Sequence, residues 1–498
     1  MKLKPSITAI LMFFIAQKAV YSQNTNFPRL QPDPKALEYY RIGENGEYSW
    51  TALAQISLWA SGDTSTVNLE KIRAAAETIK NAPDLPDSYE GKAEYILKFM
   101  HKNLIKSYSL YQTRVDIMIS TGRYNCVSSA VLYMILCQSL GINTNGVMTK
   151  DHAFVSIPTD EADTVIDVET TNAYGFDPGN RKEFHDQFGK LTGFSYVPAK
   201  NYRDRETISK IELISLILNN KIADHERQNQ FADSVPAAID RAALLEGNAL
   251  TVDSIKESHR AIFTDPRKDL MDRLFNFGAM LLRAGKEEDC LRWAAAASPV
   301  YPDEKRWQEF IMAAANNYMM KLTKANKLAD ARKFLDGQKP VLSESNFDKL
   351  DALLVDSELL GKANQIRTAA DGDNVVNAVE QARNSGKIPE KRAVELFTYT
   401  VQKTASSLSA SPAGNWRAAI KYIEAYISRF GANREIEQAL NIYRSNLATD
   451  YHNRFAAEWN KKNYTEAERI LNEGLVEFPK DRQLLSDKQT IAKQGKPN

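Results

Sequence analysis

Cysteine and histidine are both scarce in this chain. Three cysteines, Cys126, Cys137 and Cys290, and six histidines occur among 498 residues. Three thiols are too few for a disulfide framework. No Cys-x-x-Cys pair or His/Cys cluster has the spacing of a metal site, so neither a metal nor another cofactor is expected. Net charge is nearly absent as well: 64 basic residues stand against 63 acidic ones, with no long Lys/Arg block. That removes the electrostatic case for nucleic acid or an anionic membrane surface as a partner. Long apolar runs are missing too. The stretch from Ile7 to Ala16 is about half of the ~20 residues that a spanning helix needs, and no later stretch is long and apolar enough.

What stands at the N-terminus reads as an export signal over residues 1–22. Lys2 and Lys4 make a basic start, the short apolar core follows, and Val20-Tyr21-Ser22 resembles a small-residue cleavage site before Gln23. An exported protein is therefore expected, in a periplasm, a cell envelope or the medium, with no integral membrane span after cleavage. An uncleaved anchor is the alternative, and the absence of a cysteine after the apolar core argues against lipid attachment. The Pro- and Asn-rich residues 23–35 read as a linker. A chain this long calls for two or three domains.

From residue 36 to about 207 the pattern mixes helix and strand. Ala52–Ala60, Leu69–Ile79 and Tyr89–Leu104 have helical periodicity. A fourth helix starts after Asn125, a good capping residue, runs through Val131-Leu132-Tyr133-Met134-Ile135-Leu136 and stops at Gly141. It is apolar on most sides and so central. The period then becomes two: His152, Phe154 and Ser156 share one face, and after a polar turn Val165, Asp167 and Glu169 share another, which predicts a β-hairpin. Gly146-Val147-Met148 precedes it as a strand, and Phe194-Ser195-Tyr196-Val197 is expected to be a further one.

Residues 208–490 read as helical throughout, with a weak repeat. Ala467, Ala419 and Cys290 each stand twelve positions before a terminating Gly or Pro (479−467, 431−419, 302−290). The Cys290 copy also has Leu274, Phe277, Gly278 and Leu281 at the offsets of a first helix. Weaker copies centre on Ala242 and Ala331. Small residues at such positions let paired helices approach, so a tetratricopeptide-like solenoid is expected.

Cys126 is the candidate nucleophile. Its place in the first turn of a helix aims backbone N–H groups and the positive dipole end at the sulfur, and its own N–H is a natural oxyanion donor. No second donor is identifiable. His152 is the candidate base and Asp167 the group that orients it, on adjacent strands with matching parity. Glu169 shares the parity of Asp167 and is the alternative acid. His185 is the rival base and Asp177 the rival acid, although an Asp-Pro turn accounts for the latter. His101, His225, His259 and His452 look like surface residues. Cys137, in mid-helix, and Cys290, in a small-residue slot, are read as packing.

The run Asn-Cys126-Val-Ser-Ser-Ala-Val-Leu-Tyr, then Leu140-Gly141-Ile142, then His152-Ala-Phe-Val and Ile166-Asp167 resembles the transglutaminase-like superfamily of papain-related fold. The family more often has a small residue or Arg just ahead of the cysteine and Trp after the histidine, where this chain has Arg123-Tyr124-Asn125 and Phe154. The resemblance covers about a third of the chain and implies an α+β transglutaminase-like domain ahead of the all-α repeats. It places the family's nucleophile, base and acid on Cys126, His152 and Asp167. The expected activity is that of a cysteine hydrolase or protease cleaving an amide bond of a protein or peptide, with the repeats recruiting a protein partner. The alternative is a transglutaminase-like protein without turnover, acting as a binding module through its repeats.

Overall fold

Helix dominates the architecture because apolar periodicity of 3.6 runs through most of the chain and strand patterning is confined to one short region. The computed structural model describes residues 27–159, 164–179, 181–201, 203–247, 262–301, 306–410 and 414–494, among which there are twenty helices and six short strands. The expected export signal lies outside the described residues. The chain divides into two compact units, residues 1–314 and 315–498.

In the first unit the helix Cys126–Ser139 is the centre. Every residue from Cys126 to Cys137 is buried, as its lack of a polar face requires. Around it pack the helices Trp50–Ser61, Tyr89–Asn103 and Val115–Thr121. Two sheets flank it. Strands β1 (Ser107–Tyr108) and β2 (Arg123–Tyr124) form a parallel pair, with Tyr108 opposite Tyr124. Strands β3 (Asn145–Met148), β4 (Ala153–Pro158), β5 (Val165–Val168) and β6 (Glu206–Ile208) form an antiparallel sheet in the order β5-β4-β3-β6. The hairpin expected around His152 is thus present. Phe194–Val197, expected as a strand, is not one; the edge next to β3 is taken by β6.

Two sequence boundaries look different in three dimensions. Residues 27–33, read as part of a linker, are docked. The ring of Phe27 packs on Phe277 and Trp293, with centroids at 6.4 and 5.8 Å, and the Asp33 N–H donates to Asp240 at 2.8 Å. The helix Lys210–Arg227, read as the first of the repeats, packs on the helices Trp50–Ser61 and Cys126–Ser139 and on β3. Its Leu213, Ile214, Leu216, Ile217 and Leu218 belong to the same apolar core as the cysteine helix. Compactness breaks the chain later than residue 207, within the helix Arg306–Lys324.

Among the described residues after β6 there is no strand. The positions marked by the repeat pattern are buried: Cys290, Ala294 and Ala297 in the helix Glu287–Ala297, Ala419 and Ile423 in Trp416–Phe430, and Ala467 and Leu471 in Tyr464–Glu477. Close approach explains Gly278, where an added methyl would sit 2.2 Å from the Phe310 ring. In the second unit, Arg332 ties neighbouring helices through a bidentate bond to Glu358, both arms at 3.0 Å.

Leu213 is fully buried in the front core. Leu213→Ala is expected to cost about 2–5 kcal/mol, measured by denaturant unfolding, and to speed the reaction of the buried Cys137 with a thiol reagent. A chain ending at residue 207 should lose cooperative unfolding of this core altogether.

Candidate active site

The cysteine helix begins where its sequence says it should. Asn125 accepts the Ser128 N–H at 3.0 Å, and the Asn125 N–H donates to the Ser128 hydroxyl at 2.9 Å, a reciprocal cap. The Asn125 amide also donates to Thr113 Oγ1 at 2.7 Å and to Leu110 O at 3.1 Å, anchoring the helix mouth to the preceding loop. Cys126 is therefore the first helical residue, where its N–H has no acceptor within the helix. It is 7% exposed, and all three cysteines are free.

His152 stands one residue ahead of β4. Its Nε2 donates to Glu169 Oε2 at 2.7 Å in a pair sealed from water, with Glu169 fully buried. Its Nδ1 is buried without a conventional hydrogen-bond partner. The Cys126 sulfur nevertheless lies close enough to act on the imidazole directly, which leaves Nδ1 as the nitrogen available to the thiol. Burial works against a charged imidazole. The neighbouring Glu169 and Cys126 outweigh it and push His152 from 6.5 up to about 10, so that it is cationic at neutral pH. Phe154, Phe188 and Phe194 surround the ring, with centroids at 6.3, 5.3 and 5.4 Å. Those faces keep water out and favour a cation.

The carboxylate that meets His152 is Glu169 and not Asp167, the partner expected from sequence. Register decides between them. Ser156 pairs with Asp167 and Val155 with Val168, so Phe154 falls opposite Glu169, and Glu169 sits on the diagonal to His152. Asp167 lies opposite a residue four positions along the strand, about 13 Å away. Asp167 has another task. It takes both arms of the Arg205 guanidinium at 2.7 and 2.9 Å and the Tyr196 hydroxyl at 2.5 Å. This buried cluster holds the segment that carries Phe194 over His152.

Several contacts bind the Glu169 strand to the cysteine helix. Glu169 Oε1 accepts the Thr171 hydroxyl at 2.8 Å, and the Tyr124 hydroxyl donates to Thr171 O at 3.0 Å. Ser129 and Thr170 share a hydroxyl contact at 2.9 Å, and His101 Nε2 donates to Thr170 O at 3.1 Å. His101, expected on the surface, is half-buried, and burial lowers its pKa. Gly175 lets the following turn close on this strand, since a methyl there would sit 1.9 Å from Glu169 O.

The rival residues fall away. His185 Nε2 donates to Gly179 O at 2.7 Å, and Asp177 sits in the turn with its N–H on Asp167 O at 2.8 Å. Burial pushes the Cys137 thiol up strongly and that of Cys290 to about 12, which leaves both unreactive near neutrality. No group of His, Cys, Asp and Glu able to hold a metal ion occurs among the described residues. A cleft of ≈ 470 Å³ opens beside His152, lined also by Lys150, Asp151, Phe194, Val197 and Arg203. Sequence reasoning missed Tyr196, Arg205, Phe188 and the caging role of Phe194. Only the aromatic density of residues 184–196 hinted at them.

Comparison of the chain with family models and with curated proteins returned no match.

The two carboxylates should separate cleanly by mutation. Asp167→Ala leaves the buried Arg205 cation unpaired and is expected to cost about 3–5 kcal/mol of stability in denaturant unfolding. Glu169→Gln should instead slow alkylation of Cys126 by iodoacetamide at pH 7 by at least about tenfold, because the imidazolium loses its counter-charge. Equal loss of alkylation in Asp167→Asn and Glu169→Gln would refute this division of roles.

Proposed function

We propose that this protein is an exported cysteine hydrolase with a transglutaminase-like, papain-related front domain, cleaving an amide bond of a protein or peptide through a thioester. The observation that supports this most is the buried relay from Cys126 to His152 to Glu169, with the imidazole held cationic. In this reading the Cys126 thiolate adds to the acyl carbon, and the anionic intermediate collapses as the C–N bond breaks. The His152 Nδ1–H gives its proton to the departing amine. Water then attacks the thioester and passes a proton back to His152, the C–S bond breaks, and the acid leaves. Glu169 keeps the ring oriented and its charge balanced. The cleft beside His152 is wide enough for a peptide side chain and carries charges of both signs at its rim. The tetratricopeptide-like helices would recruit the protein that presents the scissile bond.

The low exposure of Cys126 favours a second reading, a transglutaminase-like protein without turnover whose repeats carry the function. The two readings differ in the chemistry of the thiol. On the first, iodoacetamide at pH 7 alkylates Cys126 ahead of Cys137 and Cys290, and His152→Ala slows that reaction at least about tenfold. Folded protein that resists alkylation at Cys126 would favour the binding module.

The raised His152 pKa also predicts a pH dependence of stability. A group raised on folding stabilises fully below its unfolded value and loses that contribution as pH climbs through its folded value. The difference in unfolding free energy between the native protein and His152→Ala should therefore be greatest below pH 6.5 and shrink as pH rises through about 10.

A further inference from the structure

Tyr108 carries a hydroxyl that is sealed from water and has no hydrogen-bond partner. Its position is set by the backbone. The parallel pairing of β1 and β2 puts its Cα beside that of Tyr124, two residues ahead of Cys126, and the Ser109 N–H donates to Tyr124 O at 2.7 Å. The rings of Tyr108 and Tyr124 meet edge to face at 5.8 Å. Tyr124 satisfies its own hydroxyl on Thr171 O; Tyr108 does not. An unpaired buried hydroxyl destabilises the fold, and phenylalanine would fill the same space without that penalty.

The surroundings of this hydroxyl point to a use. Burial first, then the neighbouring Cys126, Glu169 and Tyr124, raise the phenol well above its ordinary value of 10. The phenol therefore keeps its proton throughout the neutral range and can donate it in a hydrogen bond. The structure thus holds an unpartnered O–H donor on the strand that pairs with the residues leading into Cys126.

We propose that Tyr108 is a catalytic residue, its O–H the second oxyanion donor beside the N–H of Cys126. When the Cys126 thiolate adds to an acyl carbonyl, the C=O π electrons move to oxygen, and that oxygen accepts hydrogen bonds from both groups. The bonds strengthen as the negative charge develops, which is where a preorganised donor contributes most. This inference rests on the acyl-transfer reading above.

The full chain and its Tyr108→Phe variant distinguish the two ideas with two probes. With p-nitrophenyl acetate, Cys126 sulfur bonds to the acetyl carbon, the ester C–O bond breaks, and p-nitrophenolate is released in a burst equal to the enzyme present. That reaction passes through an oxyanion. Alkylation by iodoacetamide displaces iodide at a saturated carbon and does not. The expected result is a burst about 100-fold slower in Tyr108→Phe, with the alkylation rate unchanged and thermal stability equal to or above that of the native protein. An unchanged burst rate overturns the proposal. A parallel fall in both rates also overturns it, since the phenol would then support the thiolate. A marked loss of stability overturns it as well, because the hydroxyl would then be bonded in the fold. Native protein that neither alkylates at Cys126 nor gives a burst sinks the acyl-transfer reading, and this inference with it.

Discussion

The buried pair of His152 and Glu169 is the constraint that the front unit is built around. A charge pair withdrawn from water is tolerated only where geometry and further hydrogen bonds compensate its desolvation. Here the compensation is local and complete on the carboxylate side: one oxygen of Glu169 meets His152 and the other meets Thr171. The imidazole side is left with one open nitrogen. That asymmetry leaves Nδ1 as the open position of a buried ion pair, the nitrogen on which the proposed proton transfers depend. It also makes the site vulnerable, because removing either partner strands a charge in an apolar shell.

Much of the surrounding structure serves to hold that pair in register with the sulfur. Tyr124, Ser129 and His101 each bond to Thr170 or Thr171 and so tie the strand end to the cysteine helix and its neighbours. On the other flank, Asp167 collects Arg205 and Tyr196, and the segment they anchor brings Phe194 onto the imidazole. Two carboxylates two residues apart thus have separate partners, one holding the His152 imidazole and the other fastening the segment that covers it. The helix Lys210–Arg227 completes the core behind the cysteine helix, which gives the residues after 207 a share in the same cooperative unit.

The helical half of the chain uses a simpler device. Small residues at recurrent positions, such as Cys290, Ala419 and Ala467, are fully buried and permit close helix pairing, so that packing there depends on size more than on chemistry. Cys290 in such a slot has an environment unlike that of Cys126. No charge partner favours its thiolate, and burial keeps it protonated.

The sequence by itself determined the helical nature of most of the chain, the capped start of the cysteine helix, the hairpin after it, and the places of Cys126 at the helix mouth and His152 just ahead of the hairpin. These follow from local properties: periodicity, capping preference and side-chain parity act over a few residues. Parity reduced the acid to Asp167 or Glu169 and went no further, since both face the same way. The choice between them belongs to the tertiary structure. A hairpin paired two residues tighter would bring Asp167 opposite Phe154, and such a shift leaves every side chain on its face. The Asp167–Arg205–Tyr196 cluster, the place of helix Lys210–Arg227 in the front core and the unpartnered hydroxyl of Tyr108 were likewise decided only by folding. Each depends on contacts between segments distant in the chain, where strand register and the packing of one element on another select the partners.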